Sequence, residues 1–288
     1  MQIPHRQPTT VAQLCASGAQ RLTSAGIQTP LLDAQLILAY VLACSRLEIM
    51  AHPERQVSEP EEQRFEELLA RRVAREPLAY IVGTKEFYGL EIEVCAGVFV
   101  PRPETELLVD ECVARLRGKQ CVIADVGTGT GAVAVALALA LPKSTVYAVD
   151  VCPLAVKTAE RNVHRHGLQD RVFVVSSNLF ESFGGDSLDA VVSNPPYVPT
   201  GDIPLLQPEV AVYEPRQALD GGVDGLDVYK ELVPAAFRVI KPGGFLAVEV
   251  GSGQADSVVQ IIERSGYTKV EKRKDLSGIE RVVVGSKC

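Results

Sequence analysis

The chain has 288 residues, 47% hydrophobic and 23% charged, a balance that suits a soluble protein with one large domain and a smaller companion. Its formal net charge is -7 and its basic runs stop at "RR" and "KRK", which argues against broad electrostatic binding to nucleic acid. The opening "MQIPHRQPTT" lacks the apolar core of a signal peptide, and no uninterrupted apolar stretch approaches the roughly 18 to 20 residues of a membrane span, so the expectation is a cytoplasmic protein with no membrane partner.

The first third reads as helix. "TTVAQLCASGAQRLTSAG" starts on Thr caps and stops at Gly26, "PLLDAQLILAYVLAC" follows Pro30, and "SEPEEQRFEELLARRVARE" opens with a capping box of Ser58 and Glu61. These define a helical domain over residues 1–75. In "LAYIVGTKEFYGLEIEVCAGVFVP", β-branched and aromatic residues punctuated by Gly83, Gly89 and Gly97 predict one or two hairpins, hence a β-hairpin linker over 76–103. Helix resumes in "PRPETELLVDECVARLRG", where a domain spanning 104–288 begins.

From Cys121 the pattern alternates. "CVIADVG", "STVYAVDV", "RVFVVSS", "LDAVVSN", "FLAVEVG", "TKVEKRKD" and "IERVVVGS" are short strands, most of them separated by helical runs. Seven such strands imply an α/β fold with a doubly wound, mostly parallel sheet, its last two strands forming an antiparallel hairpin across "LSG". The seven cysteines are scattered without a C-x-x-C, which favours reduced, buried thiols over a disulfide framework or a zinc site; no metal is expected. His164 and His166 sit two apart in a helical run, point to different faces and read as surface histidines.

Two loops carry the chemistry. "IADVGTGTGAVA" sets Gly127, Thr128, Gly129, Thr130 and Gly131 between the first of the seven strands and a helix, where glycine lets the backbone approach a ligand and the helix start offers free N–H groups. Read as G-x-G-x-G the loop suits S-adenosylmethionine, and read through Ala132 as G-x-G-x-x-A it matches a dinucleotide fingerprint. Asp150, ending the next strand, would accept from ribose hydroxyls in either case. The bland alternative is a tight turn with a helix-capping Asp.

The second loop is "NPPY". Pro195 and Pro196 end the strand at Ser193 and stiffen the chain beyond it. An amide or exocyclic NH2 is a poor nucleophile because its lone pair is delocalised. The Asn194 side-chain oxygen and the Pro195 carbonyl could each accept one of its N–H bonds, fixing its rotation and stabilising charge during attack on a methyl group. Tyr197 would pack its ring over that group. Taken alone, Asn and Pro in this order also make an ordinary rigid turn.

At these residues the chain resembles a known family. "NPPY" with "DVGTGTG" upstream is similar to amino-group methyltransferases, and "FVPRPETELLVD", "YEPRQALDGGVDGLDVYK", "GGFLAVEVG" and "KDLSGIERVVVG" resemble the HemK/PrmC protein glutamine N-methyltransferases over nearly the whole length. The resemblance implies a Rossmann-like methyltransferase fold, S-adenosylmethionine as cofactor, and transfer to a glutamine in the glycine-glycine-glutamine loop of peptide chain release factors, docked by the small helical domain. It further implies that Gly127 to Gly131 hold the methionine part of the cofactor and Asp150 the ribose. Asn178 and Leu179 of "SNLF" would approach the adenine, Asn194 to Tyr197 would hold the substrate glutamine, and Asn194 would also lie near the reactive methyl. Relatives commonly carry an acidic residue where Asn178 stands.

The competing readings are a nucleic-acid exocyclic amino methyltransferase of the adenine N6 type, a nicotinamide-dependent oxidoreductase, which leaves "NPPY" unexplained, and a nucleoside-binding scaffold. Around the loops, Glu104 and Glu106 either favour a helix start or shape the substrate cleft. Glu214 and Arg216 read as a local ion pair, and Glu249 either supports the site or merely ends a strand. No general base is needed, because methylation acidifies the attacked nitrogen and its proton can leave to water.

Overall fold

The computed structural model describes residues 9–288; residues 1–8, part of the stretch read for a signal segment and of the 1–75 domain, lie outside it. Two compact units result, one running to Gly83 and taking in Gln207–Tyr213, the other comprising Thr84–Leu206 and Glu214–Cys288.

The first unit is helical: α1 (Val11–Ser24), α2 (Pro30–Val41), α3 (Arg46–Ala51), α4 (Glu59–Val73) and α5 (Leu78–Val82). Its starts follow local chemistry. Thr10 and Gln13 form a capping box on α1, Pro30 opens α2, and the Glu61 carboxylate accepts the Ser58 N–H at 2.8 Å to cap α4. Leu22, Ile37, Leu38, Phe65, Leu68 and Leu69 are fully buried together. "LAYIV", expected within a hairpin, is helix α5 instead: Pro77 presets the N-terminus and Gly83, at φ +78°, supplies the left-handed C-cap. The compact units part after Gly83, and between it and Glu106 the chain forms one hairpin, β1 (Thr84–Phe87) with β2 (Leu90–Glu93), turned by Tyr88 and Gly89 at positive φ.

The second unit continues through α6 (Glu106–Leu116), β3 (Cys121–Val126), α7 (Ala132–Ala140), β4 (Ser144–Asp150), α8 (Pro153–Arg165), β5 (Val172–Ser176) and β6 (Leu188–Ser193). The chain then joins the helical unit over Gln207–Tyr213, which carries the single-turn α9 (Pro208–Ala211), and returns for α10 (Asp227–Val239), β7 (Ile240–Glu249), α11 (Ala255–Arg264), β8 (Thr268–Lys274) and β9 (Glu280–Ser286). Within the helical unit Glu209 of that segment accepts from Arg72 at 2.9 Å and Arg75 at 2.6 Å, and buried Arg72 also pairs with Asp33 at 2.8 Å.

All seven expected strands form one sheet in the order β5-β4-β3-β6-β7-β9-β8, parallel except for β9, which pairs antiparallel with both neighbours. Both faces are covered. Ile123, Ala190 and Val192 look toward α6 and α7, while Ala124, Val191 and Val248 look toward α10 and α11, the period-two alternation that explains why the strands read as continuous apolar runs. The strand order reverses between β3 and β6, which opens a crevice at their carboxyl ends.

Candidate active site

Register assembles the site. Val126 pairs with Val149 on one side and Ser193 on the other, and Ser193 pairs with Val248. The next residues along β4, β3, β6 and β7 are Asp150, Gly127, Asn194 and Glu249, which thus come level at one end of the sheet. Asp150, Gly127 and Asn194 line a cavity of about 580 Å³, a size that suits a nucleoside-like ligand with room for a side chain.

On one side the glycine loop is built from backbone. Gly127 and Thr128 donate their N–H groups to the Val149 carbonyl at 2.9 and 3.0 Å, and Gly129 donates to Asp150 Oδ2 at 2.9 Å. Gly129 and Gly131 have φ of +57° and +80°, and a Cβ on Gly131 would meet Ala159 Cβ at 3.0 Å, so this loop needs glycine for both conformation and contact with α8. A Cβ on Gly127 or Gly129 would meet nothing within 4 Å, which leaves open room beside the backbone. Asp150 Oδ1 also accepts the Cys152 N–H at 2.9 Å, and each of its oxygens keeps a lone pair for a further donor. Leu179 holds a strained φ of +48° at the cavity wall beside exposed Asn178, whose amide makes only a 3.5 Å contact with Glu181.

Two buried polar groups secure that loop. The Asp125 carboxylate accepts from Thr128 Oγ1 at 2.5 Å and from the Ala134 N–H at 3.1 Å; burial pushes it up to about 7 despite both bonds. Asn162 of α8 donates to the Thr130 carbonyl at 2.8 Å while its Oδ1 accepts the Glu93 N–H at 2.7 Å, tying glycine loop to hairpin.

On the other side the Asn194 loop is held by side chains. Asn194 Nδ2 donates to Thr105 Oγ1 at 3.0 Å, which leaves Oδ1 as the acceptor of that amide. Pro195 is buried, and Pro196 and Tyr197 are half-buried along the cavity. Gln254 donates to the Tyr197 carbonyl at 2.9 Å and Val198 donates to the Leu219 carbonyl at 2.9 Å, pinning the strand exit from outside. The Tyr197 hydroxyl reaches Glu249 Oε1 at 3.4 Å, and burial pushes the phenol well up. Glu249 itself is 1% exposed and, mainly through burial, is pushed up to about 7.

The charged residues flanking these loops find partners that the sequence did not reveal. Glu214 and Arg216 do not pair: buried Glu214 pairs with Arg102 of "PRPETE", and Arg216 pairs with Asp220 at 3.1 Å. Arg102 also sits 4.9 Å from the centre of the Phe99 ring at the cavity rim. Glu106 accepts the Tyr88 N–H at 2.8 Å and links the hairpin to α6, whereas Glu104 is exposed. Every residue expected to bind cofactor or substrate, from Gly127 to Gly131 and at Asp150, Asn178, Leu179 and Asn194 to Tyr197, belongs to this neighbourhood, and all but Gly131 line the cavity itself. Thr105, Asn162 and Gln254 were missed. Thr105 was inside a quoted motif, but no local signal points it at Asn194, 89 residues away.

A doubly wound sheet with a glycine loop and an Asn-Pro-Pro-Tyr loop at its switch point defines a methyltransferase, and the comparisons with known proteins agree. Residues 93–207 match the methyltransferase small domain, and the fold is similar to a methyltransferase from Pyrococcus furiosus, with a TM-score of 0.53 and 21% identity over 75% of this chain and 95% of that one. Residues 13–83 match the PrmC N-terminal domain. Release factor glutamine methyltransferases from Geobacter sulfurreducens and Caulobacter vibrioides are 43% and 38% identical, covering 92% and 96% of this chain and the same shares of their own. The chain belongs to the release factor glutamine methyltransferase family.

Proposed function

We propose that the protein transfers a methyl group from S-adenosylmethionine to the side-chain amide nitrogen of a glutamine in a translation release factor, within the cytoplasm. The observation that carries this reading is that the glycine loop and the Asn194–Tyr197 loop open on one cavity. The donor set fits the cofactor: Asp150 would accept from the ribose hydroxyls, the room beside Gly127 and Gly129 would take the methionine part, and Asn178 and Leu179 would flank the adenine. S-adenosylmethionine supplies an electrophilic methyl group on a sulfonium sulfur.

The protein's part is orientation. Asn194 Oδ1 and the Pro195 carbonyl accept the two N–H bonds of the glutamine amide, fix its rotation and favour the positive charge that grows on nitrogen. The diproline keeps the acceptor carbonyl from reorganising, and the Tyr197 ring covers the amide. The proton leaves after transfer to water. The helical domain would dock the release factor, consistent with the family of its match over residues 13–83.

The test is transfer of label from S-adenosylmethionine to a purified release factor. Label on the intact factor that disappears when its glycine-flanked glutamine is changed to alanine supports the reading. Cofactor binding without protein labelling contradicts it.

A further inference from the structure

Pro195 and Pro196 have no N–H, so the stretch between the Asn194 side chain and the Tyr197 ring cannot be anchored by its own donors and depends on what holds its ends. Upstream, Asn194 is held by Thr105. Downstream, the peptide unit joining Tyr197 to Val198 is held at both polar atoms: its N–H donates to the Leu219 carbonyl at 2.9 Å, and its carbonyl accepts from Gln254 Nε2 at 2.9 Å. Gln254 stands half-buried just before α11, and its amide is engaged at both ends. Oε1 accepts the Gly251 N–H at 3.0 Å, and Nε2 also reaches the Gly225 carbonyl at 3.4 Å. The Gln254 backbone N–H returns a bond to the Gly251 carbonyl at 3.1 Å, which fixes the base of the side chain as well. Turning the amide over would set Oε1 against carbonyls and Nε2 against an N–H, so these backbone groups accept a single orientation.

The packing around this amide has no slack. A Cβ on Gly251 would lie 2.6 Å from Gln254 Oε1 and 3.0 Å from Tyr197 Cδ2, so glycine there admits both the amide and the edge of the ring. A Cβ on Gly225, which has a φ of +72°, would overlap Gln254 Nε2 and the Tyr197 carbonyl oxygen. The exits of β6 and β7 and the loop before α10 thus converge on one side chain. We infer that Gln254 is a positioning residue for the methyl transfer. By fixing the Tyr197 carbonyl and the Gly251 seat of the Tyr197 ring, it keeps that ring over the substrate amide and closes the downstream end of the diproline, so that the Pro195 carbonyl stays on its target. Neither Gln254, Gly225 nor Gly251 lines the cavity, so the effect runs through Tyr197 and not through a contact with substrate or cofactor.

The inference rests on the proposed role of the Asn194–Tyr197 loop, and its test separates the two claims. The protein is labelled with fluorotyrosine, and the fluorine resonance of Tyr197 is assigned by its loss in Tyr197→Phe. With no substrate present, that resonance should move in Gln254→Glu, whose carboxylate can accept from Gly251 but cannot donate to Tyr197, and in Gly225→Ala. The resonance of Tyr147 on β4 should stay in place, as it would not in a damaged sheet. Gln254→Met, uncharged and of similar length, should act like Gln254→Glu, which keeps the result from resting on an added charge. With the release factor as acceptor, Gln254→Glu and Gly225→Ala should each lower kcat by about tenfold while cofactor affinity stays within about twofold, and the double variant should be no worse than the weaker single one because both break one clamp. A Tyr197 resonance unmoved by these substitutions, undiminished kcat, or losses that multiply in the double variant would overturn the role. Failure of the wild-type protein to methylate the release factor would sink the proposed function, and the fluorine spectra would still decide whether Gln254 holds Tyr197.

Discussion

Asp125 and Glu249 are two buried carboxyls at the ends of strands in one sheet, and burial pushes both up to about 7. Their surroundings differ. Asp125 accepts from Thr128 and Ala134 within its own strand–turn–helix, whereas Glu249 has a long contact from Tyr197 and one buried oxygen with no hydrogen-bond partner. The first is a local brace for a backbone cradle; the second faces side chains brought from other parts of the chain. A raised proton affinity by itself therefore says little about a role, and the pattern of donors says much more.

The largest effect that would sharpen this contrast is at the loop Glu249 faces. Asn194→Ala should lower kcat by roughly 10²–10³-fold while calorimetry shows cofactor affinity changed only slightly, because the cradle braced by Asp125 is untouched. Asp125→Ala should do the converse. It leaves Thr128 Oγ1 and the Ala134 N–H without their acceptor, and urea unfolding should show a loss of about 1–3 kcal/mol together with weaker cofactor binding.

A smaller effect comes from titration. For each carboxyl the folded value lies above the unfolded one, so between the two the native state binds more protons and stability falls as pH rises toward about 7. Thermal unfolding should therefore show a midpoint that declines from weakly acidic to weakly alkaline pH, and the decline should be shallower in Glu249→Gln. An unchanged slope would remove Glu249 from the account of stability. The smallest effect belongs to an exposed ion pair: Arg216→Ala, breaking its contact with Asp220, should leave the thermal unfolding midpoint unchanged, because solvent screens the pair.

Much of this fold was legible because the strands are buried on both faces and end at Gly, Asp or Asn, as "CVIADVG" and "LDAVVSN" do. The stretch "LAYIV" was not, since a short apolar, β-branched run reads as strand until Pro77 and Gly83 are recognised as helix ends. The cradle glycines and the Asn194 loop were legible because their chemistry is local. Their supports were not: Asn194 to Thr105 spans 89 residues and Arg102 to Glu214 spans 112, so adjacent Glu214 and Arg216 looked like partners until register and loop paths put other groups closer. The insertion of β9 between β7 and β8 is likewise a choice of pairing that a hairpin turn alone does not specify.

The central claim, that the Asn194 loop grips a glutamine NH2 beside a methyl donor, is tested most directly by locating the transferred methyl. A release factor and an adenine-containing DNA would be offered to the enzyme in one reaction with S-adenosylmethionine, and both products mapped by tandem mass spectrometry. The account predicts a methyl group on the side-chain nitrogen of the glycine-flanked glutamine and none on the DNA. Methylated adenine, or a methyl group elsewhere on the release factor, would contradict it.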